Sequence, residues 1–306
     1  MATEYTLDRT HIHHDWDQSR EPALTIRPGD VVHFDLPITG EGQVEESSSI
    51  EDVAWDFDTI YNLAGPLYVE GASPGGTLEV EILELQPGAW GWTAVIPELG
   101  LLASDFPDAF LKTFDLRNGT TAKIAPGVEV PLEPFLGTMG VPIDEAGSVS
   151  PFPPHAGGGN VDCRHLVAGA TLWLPVWCDG ALFSCGDAHG VQGDGEVCVS
   201  AVECAMRATL RFGYSDRSLP GPAYQVPEPV GIPGPYRGAM GIHADLMEGA
   251  RIAVRNTIAW LVEARGMSRE DAYVLCSLAG DLRIHEIVDA GVWNVGMTLP
   301  RSVFTS

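Results

Sequence analysis

Lysine is nearly missing from this chain of 306 residues, which holds it only at Lys112 and Lys123. Arginine supplies the rest of the 17 basic residues, against 42 acidic ones, for a net charge of −25. Nucleic acid needs a basic surface to release counterions from phosphate, so that class is excluded. An anionic membrane surface is excluded for the same reason. No apolar run approaches the ~20 residues that cross a bilayer. The start, MATEYTLDRTH, has no basic and apolar leader. Cys163, Cys178, Cys185, Cys198, Cys204 and Cys276 form no C-x-x-C pair. Five sit in or near apolar, strand-like segments, as free buried thiols do in a reducing cytoplasm. No G-x-S-x-G elbow is present, and no glycine-rich stretch has the lysine and the helix of a phosphate loop. No repeat suggests a solenoid or propeller.

What is abundant is glycine, at 35 residues, and proline, at 23. Together they favour many short strands over long helices. Val31, His33 and Asp35 alternate with Val32, Phe34 and Leu36, predicting a half-buried strand within 25–37. Leu78, Val80 and Ile82 alternate with Glu79 and Glu81 in the same way, after a turn at Pro74-Gly75-Gly76. Gly65-Pro66 reads as another turn, and Asn118-Gly119 as one between strand-like pieces of 106–126. The stretches 41–56, 86–102 and 215–237 read as loops, the second with Trp90 and Trp92 able to wall a pocket. Helical spacing predicts one helix over 244–265, closed by Gly266, and a second capped at Ser268 and running through Leu278. A final strand is expected over 281–289. The expected fold is mainly β, in sandwich-like sheets, with a smaller α+β C-terminal part containing two helices. The expected division is a β-rich domain over 1–214 and a C-terminal part over 215–306.

The chemistry is expected between Gly157 and Glu203. Two glycine-rich polar clusters flank an apolar run, 166–185, whose one charge, Asp179, precedes Gly180. That pattern predicts two strands joined by an Asp-Gly turn. Beyond it, Asp187 and His189 stand two apart, which puts them on one side of an extended chain. Asp194 and Glu196 repeat the spacing, with Gly190, Gly193 and Gly195 free to reverse the chain. Three carboxylates and an imidazole gathered there repel unless a cation neutralises them. The mixed nitrogen and oxygen set points first to zinc, and to calcium if the histidine stays out. A solvated acidic loop with turn glycines fits the spacing equally well. The segment 197–202 reads as a buried strand ending at Glu203. Upstream, His11, His13, His14, Asp15 and Asp17 crowd the start of the chain, His155 is a weak ligand candidate, and Glu70 is either drawn inward or a surface turn residue. Cys163, beside Asp162, Arg164 and His165, is the thiol a nucleophilic mechanism would use; neighbours in sequence need not meet in space.

These residues also carry a resemblance. GGNVD with Asn160 and Asp162, LPV at 174–176, GALF at 180–183, GDAH at 186–189 and QGDGE at 192–196 resemble, in order and spacing, the signature of the acetamidase/formamidase family. His13-His14-Asp15-Trp16 resembles its H-x-x-W element, aligning His13. The segments from Gly65, from Pro134 and from Ser268 are similar to the family as well, and Glu203 falls where the family has a carboxylate. The resemblance implies hydrolysis of formamide, acetamide or a similar short amide to ammonia and a carboxylate by a metal-activated water. The expected ligands are His13, Asp162, His189 and Glu196. Asp187, Asp194 or Glu203 would carry the proton or add a ligand, and Asn160 would donate to the developing oxyanion. A homodimer or larger homo-oligomer is implied too. The alternatives are hydrolysis of another non-peptide C–N bond, and a non-catalytic β-protein holding structural calcium.

Overall fold

Alternation places apolar side chains on one face of a strand, and the long strands follow that rule. The computed structural model describes residues 2–145, 147–227 and 234–304. In chain order its strands begin with β1 (Glu4–Leu7), β2 (Ile12–His13), β3 (Leu24–Ile26), β4 (Val31–Leu36), β5 (Leu63–Val69) and β6 (Thr77–Val95). There follow β7 (Phe110–Asp115), β8 (Thr121–Ala125), β9 (Val128–Pro131), β10 (Phe135–Gly140), β11 (Gly158–Asn160) and β12 (Thr171–Pro175). The chain continues with β13 (Phe183–His189), β14 (Glu203–Ser215), β15 (Ala223–Val226), β16 (Tyr236–His243), β17 (Asp281–Glu286) and β18 (Trp293–Pro300). Helices α1 (Leu246–Arg265) and α2 (Arg269–Ala279) lie between β16 and β17. The protein is mainly β, with both helices near the C-terminus, as its composition predicts.

β6 and β14 pair antiparallel along nearly their whole length, from Glu203 opposite Trp92 to Ser215 opposite Thr77. Around this ribbon the main path runs β11-β10-β13-β14-β6-β12-β15-β16-β18-β17, with β4 also on β14 and β5 also on β13. Leu78, Val80 and Ile82 are fully buried in the main core, while Glu81 faces outward to Arg211 at 2.6 Å. Strand pairing crosses residue 215, since β12 pairs with β15. The helices enclose a second apolar cluster, built on Ala253, Leu261, Ala272, Cys276, Met297 and Leu299.

Several expectations are corrected. The run 166–185 is not a hairpin. β12 pairs with β6 and β15, whereas β13 pairs with β5, β10 and β14. β13, buried at every residue, is covered on both faces and loses the alternation of a half-exposed strand, while β12 keeps half-buried Thr171 and Trp173 between buried positions. The stretch 86–102 is largely strand, because β6 continues through Val95 between β14 and β7; Pro87 sits where the β14 register shifts, the kind of place a sheet tolerates proline. Gly65-Pro66 lies inside β5, where the register against β13 shifts. Residues 197–202 form turns rather than a strand: Val197 is exposed and Val199 has a φ of 74°. The stretch 215–237 contains β15, and its residues 228–233 lie outside the described residues. The final strand is followed by another, β18.

α1 begins at Asp245, whose side chain accepts a bond from Glu248 N, and ends at the left-handed Gly266. Gly249, Ala253, Thr257 and Leu261 form its buried stripe. The helix approaches β16 closely: a Cβ on Gly241 would lie against Gly249 O and Ala253 N. Gly241→Ala is therefore expected to push α1 off its strand and cost about 1–3 kcal/mol. Denaturant unfolding checks this, and an unchanged midpoint would contradict it.

Candidate active site

Three strands converge on one imidazole. β10 pairs with β11, setting Thr138 opposite Asn160, and with β13, setting Phe135 opposite His189. His189 in turn stands opposite Glu203, the first residue of β14. The chain leaving β11 brings in Asp162, and the loop after β13 brings in Glu196. Asp162, Asp187, His189, Glu196 and Glu203 are all buried, and Glu286 and Asp289 close in from the C-terminal part. Four buried carboxyls thus gather at one histidine, with Glu286 and Asp289 close to Asp162, in a region of low dielectric.

The distances define two sets that share His189. Asp162, His189 and Glu196 offer ligand-type atoms within 4.8 Å of one another, and so do Asp187, His189 and Glu203. His189 Nε2 lies 3.3 Å from Glu203 Oε2 and 3.5 Å from Asp187 Oδ1; its Nδ1 lies 3.7 Å from Asp162 Oδ1. The ring orientation follows from Gln192. Its amide nitrogen donates to Asp162 O at 3.0 Å, so its oxygen faces His189 Nδ1, at 2.9 Å. An oxygen only accepts, so Nδ1 carries a proton there, and Nε2 is the atom turned to Asp187 and Glu203. Thr39 donates to Asp187 Oδ1 at 2.8 Å, and Ala201 N to Glu203 Oε1 at 3.0 Å.

His189 Nε2, Glu203 Oε2 and both carboxylate oxygens of Asp162 are buried without a hydrogen-bond partner. Such atoms are costly unless something neutralises them. Burial lifts the Asp162 carboxyl to about 7, and burial with the Asp162 charge pushes Glu196 well above the usual range. Burial also raises Glu203, Asp289 and Glu286, the last to about 8. Asp187 is the exception: burial opposes its charge, but His189 and Thr39 hold it below the usual carboxylate range. Burial likewise opposes a charge on His189, yet Glu203 and Asp187 raise it well above an ordinary imidazole.

Backbone strain collects at the same place. Asp162, Asp187 and Glu196 adopt left-handed conformations, with φ of 41°, 52° and 44°. Such geometry disfavours L-residues and persists where the surroundings enforce it. Gly137 on β10 leaves a hollow between them. A Cβ there would lie 2.5 Å from Asp162 Oδ1, 2.6 Å from Asp187 Oδ2 and 2.7 Å from His189 Cε1. Above the centre opens a pocket of about 400 Å³, mouth included, walled by Phe57, Ile60, Tyr61, Trp92 and Phe152.

An Acetamidase/Formamidase family profile matches residues 2–146 and 142–306, and so spans the whole centre. The chain belongs to this family. An acetamidase of Mycolicibacterium smegmatis is 27% identical over 60% of this chain; the match spans 61% of that relative's length, under two thirds of it. A formamidase of Methylophilus methylotrophus is 25% identical over 76% of this chain and 72% of its own. The crystal structure of an acetamidase from Bacillus halodurans is 28% identical and superposes with a TM-score of 0.89 over 98% of each chain.

Not every residue singled out in this family member's sequence reaches the centre. His13 is buried but engaged elsewhere: its Nδ1 meets Asp15 O at 2.8 Å and its Nε2 meets Ser184 Oγ at 2.9 Å. Asp194 turns away to Arg283, His165 and His285. Asn160 is present, yet its amide donates to Phe152 O at 3.0 Å and Asp289 Oδ2 at 2.9 Å, and lies 3.3 Å from the Tyr61 hydroxyl. Glu70 is a surface residue paired with Arg27. His155 packs edge-on against Trp16. Burial pushes the Cys163 thiol far up, which leaves no thiolate for a nucleophilic mechanism. Missed from the sequence were Glu286, Asp289, Tyr61 and Gly137. Glu286 ends β17 and Asp289 follows in the bend after it; carboxylates flanking the apolar Ile287 and Val288 are themselves the signal.

Proposed function

We propose that this chain hydrolyses a short aliphatic amide, of the formamide or acetamide class, to ammonia and the corresponding carboxylate. The observation that carries the reading is the excess of buried carboxyls around His189 beneath a small pocket, in a chain of this family. The pocket's aromatic and aliphatic walls suit a short acyl group and leave little room for a longer one.

A divalent cation fits these residues. Ligands on bonds of about 2.1 Å around a tetrahedral ion lie about 3.4 Å apart, close to the 3.3 and 3.5 Å separating His189 Nε2 from Glu203 and Asp187. His189, Asp187 and Glu203 would hold it, since Nε2 is the ring atom facing outward from the Gln192 bond. The nitrogen in the set favours zinc over calcium. Bound there, such an ion would acidify water and polarise a carbonyl. On this reading Asp162 and Glu196, ligands by sequence, become the groups that take a proton from water and return it to the departing nitrogen. Asn160 positions Asp289 and Tyr61 rather than donating to the substrate. Because the Asn160 amide points at the Tyr61 oxygen, the Tyr61 hydroxyl proton is left for an acceptor in the pocket it lines, and it serves the carbonyl oxygen. Tyr61→Phe is expected to lower kcat by about 10²-fold with little change in KM; an unaltered kcat would remove the role.

A homo-oligomer is part of the same reading. Tyr273, Val274 and Leu278 on α2 and Leu282 on β17 are exposed together, an apolar face suited to a second copy. Light scattering that returns only the 32.7 kDa chain would contradict it. A reducing cytoplasm suits the six free cysteines; cell fractionation tests that placement. The direct test of the activity is ammonia release from a panel of short amides.

A further inference from the structure

Asp194 left the His189 centre for a group of its own. His165 lies on the segment after β11, Asp194 in the loop after β13, and His285 on β17. His165 Nε2 stands 3.4 Å from Asp194 Oδ1, and His285 Nδ1 stands 3.8 Å from the same oxygen. The three atoms fall within 4.8 Å of one another. The two rings are 1% and 0% exposed, and none of the three atoms has a hydrogen-bond partner. A direct hydrogen bond would be shorter, at about 2.7–3.2 Å. Neighbouring ligands of one tetrahedral ion sit about 3.4 Å apart.

The far side of each ring is held as a metal-bound histidine's is. His165 Nδ1 meets the Tyr236 hydroxyl at 2.8 Å, and His285 Nε2 meets the Tyr224 hydroxyl at 3.1 Å. In the tautomer where those nitrogens donate to the tyrosines, both lone pairs point at the carboxylate, and three acceptors converge with no proton between them. Arg283 is a cation at this group. It takes the other oxygen, Asp194 Oδ2, at 3.3 Å and leaves Oδ1 to the histidines. Asp194 is partly exposed, which gives an ion a way in.

We propose that His165 Nε2, Asp194 Oδ1 and His285 Nδ1 bind a divalent transition-metal ion of the zinc class, at a site separate from His189. Two imidazoles and one carboxylate form a donor set of that class, with a position left for water. The ion straps the loop after β13 to β17. Gly195 N donates to His285 O at 2.8 Å, and Gln192 Nε2 lies 3.4 Å from the same oxygen, so the strap fixes the loop that carries Gln192 and Glu196. This inference does not depend on the amide reading.

The test is zinc content per chain, by atomic emission after equilibrium dialysis, with visible absorption of the cobalt-substituted protein. Wild type is expected to hold two equivalents. Asp194→Asn and His165→Asn should each hold one, and His189→Ala should hold the other. Circular dichroism in chelator shows that each variant is folded before loading. If wild type holds a single equivalent in all, and it persists in His189→Ala and vanishes in Asp194→Asn, the strap stands and His189 holds no cation. The strap is overturned if Asp194→Asn and His165→Asn keep the full wild-type content. It is equally overturned, from folded wild type and His189→Ala alone, if every bound equivalent depends on His189.

Discussion

His189→Ala should lower kcat/KM for a short amide by about 10³-fold or more, the scale of losing a catalytic acid, base or ligand. The reason is specific to this centre. His189 is the imidazole shared by Asp162, Asp187, Glu196 and Glu203, and its Nε2 faces Asp187 and Glu203. Alanine removes that nitrogen and leaves buried carboxyls with no positive counterpart, so they take up protons instead of holding a cation. Asparagine in its place restores polarity but not the aromatic nitrogen, and should rescue little. Glu70→Ala is the control, because Glu70 lies on the surface against Arg27; it should retain full activity. A His189→Ala protein with more than a tenth of wild-type activity would contradict the assignment.

Gly137→Ala should be nearly as damaging, although it adds one methyl group and removes nothing. The new carbon would fall between Asp162, Asp187 and His189, at 2.5–2.7 Å from an atom of each. Gly137 cannot yield easily, since its carbonyl accepts bonds from both Val161 N and Asp162 N. The side chains must move instead, and a displacement of about 1 Å at a reacting centre costs on the order of 10²-fold. The expected result is a fall of that size in kcat, with unfolding shifted by about 1–3 kcal/mol at most. Equal loss in Gly137→Ala and in a stability-matched variant such as Gly241→Ala would show that only folding had been damaged.

The sequence was informative where side chains alternate or repeat. Leu78, Val80 and Ile82 revealed β6, and the Ala253–Thr257–Leu261 stripe with Gly266 revealed α1. Asp187 and His189 do meet, as their spacing suggested. Alternation tells which face is buried, but not which strand lies alongside. That is why 166–185 read as a hairpin while its two strands pair elsewhere. Covered strands such as β13, buried at every residue, give no alternation at all. Local spacing also grouped Asp194 with Glu196, whereas the loop sends them to different histidines. Glu286 and Asp289 arrive from about a hundred residues beyond the motif, across contacts that no local pattern encodes.

Ammonia release from formamide and acetamide, measured on the purified chain, on the chelator-stripped chain and after zinc is returned, tests the central claim most directly. The account predicts turnover of at least one of the two amides, its loss on stripping, its return with zinc, and none of this in His189→Ala. Folded, zinc-loaded protein that releases no ammonia from either amide, or that works equally well stripped of metal, would contradict it.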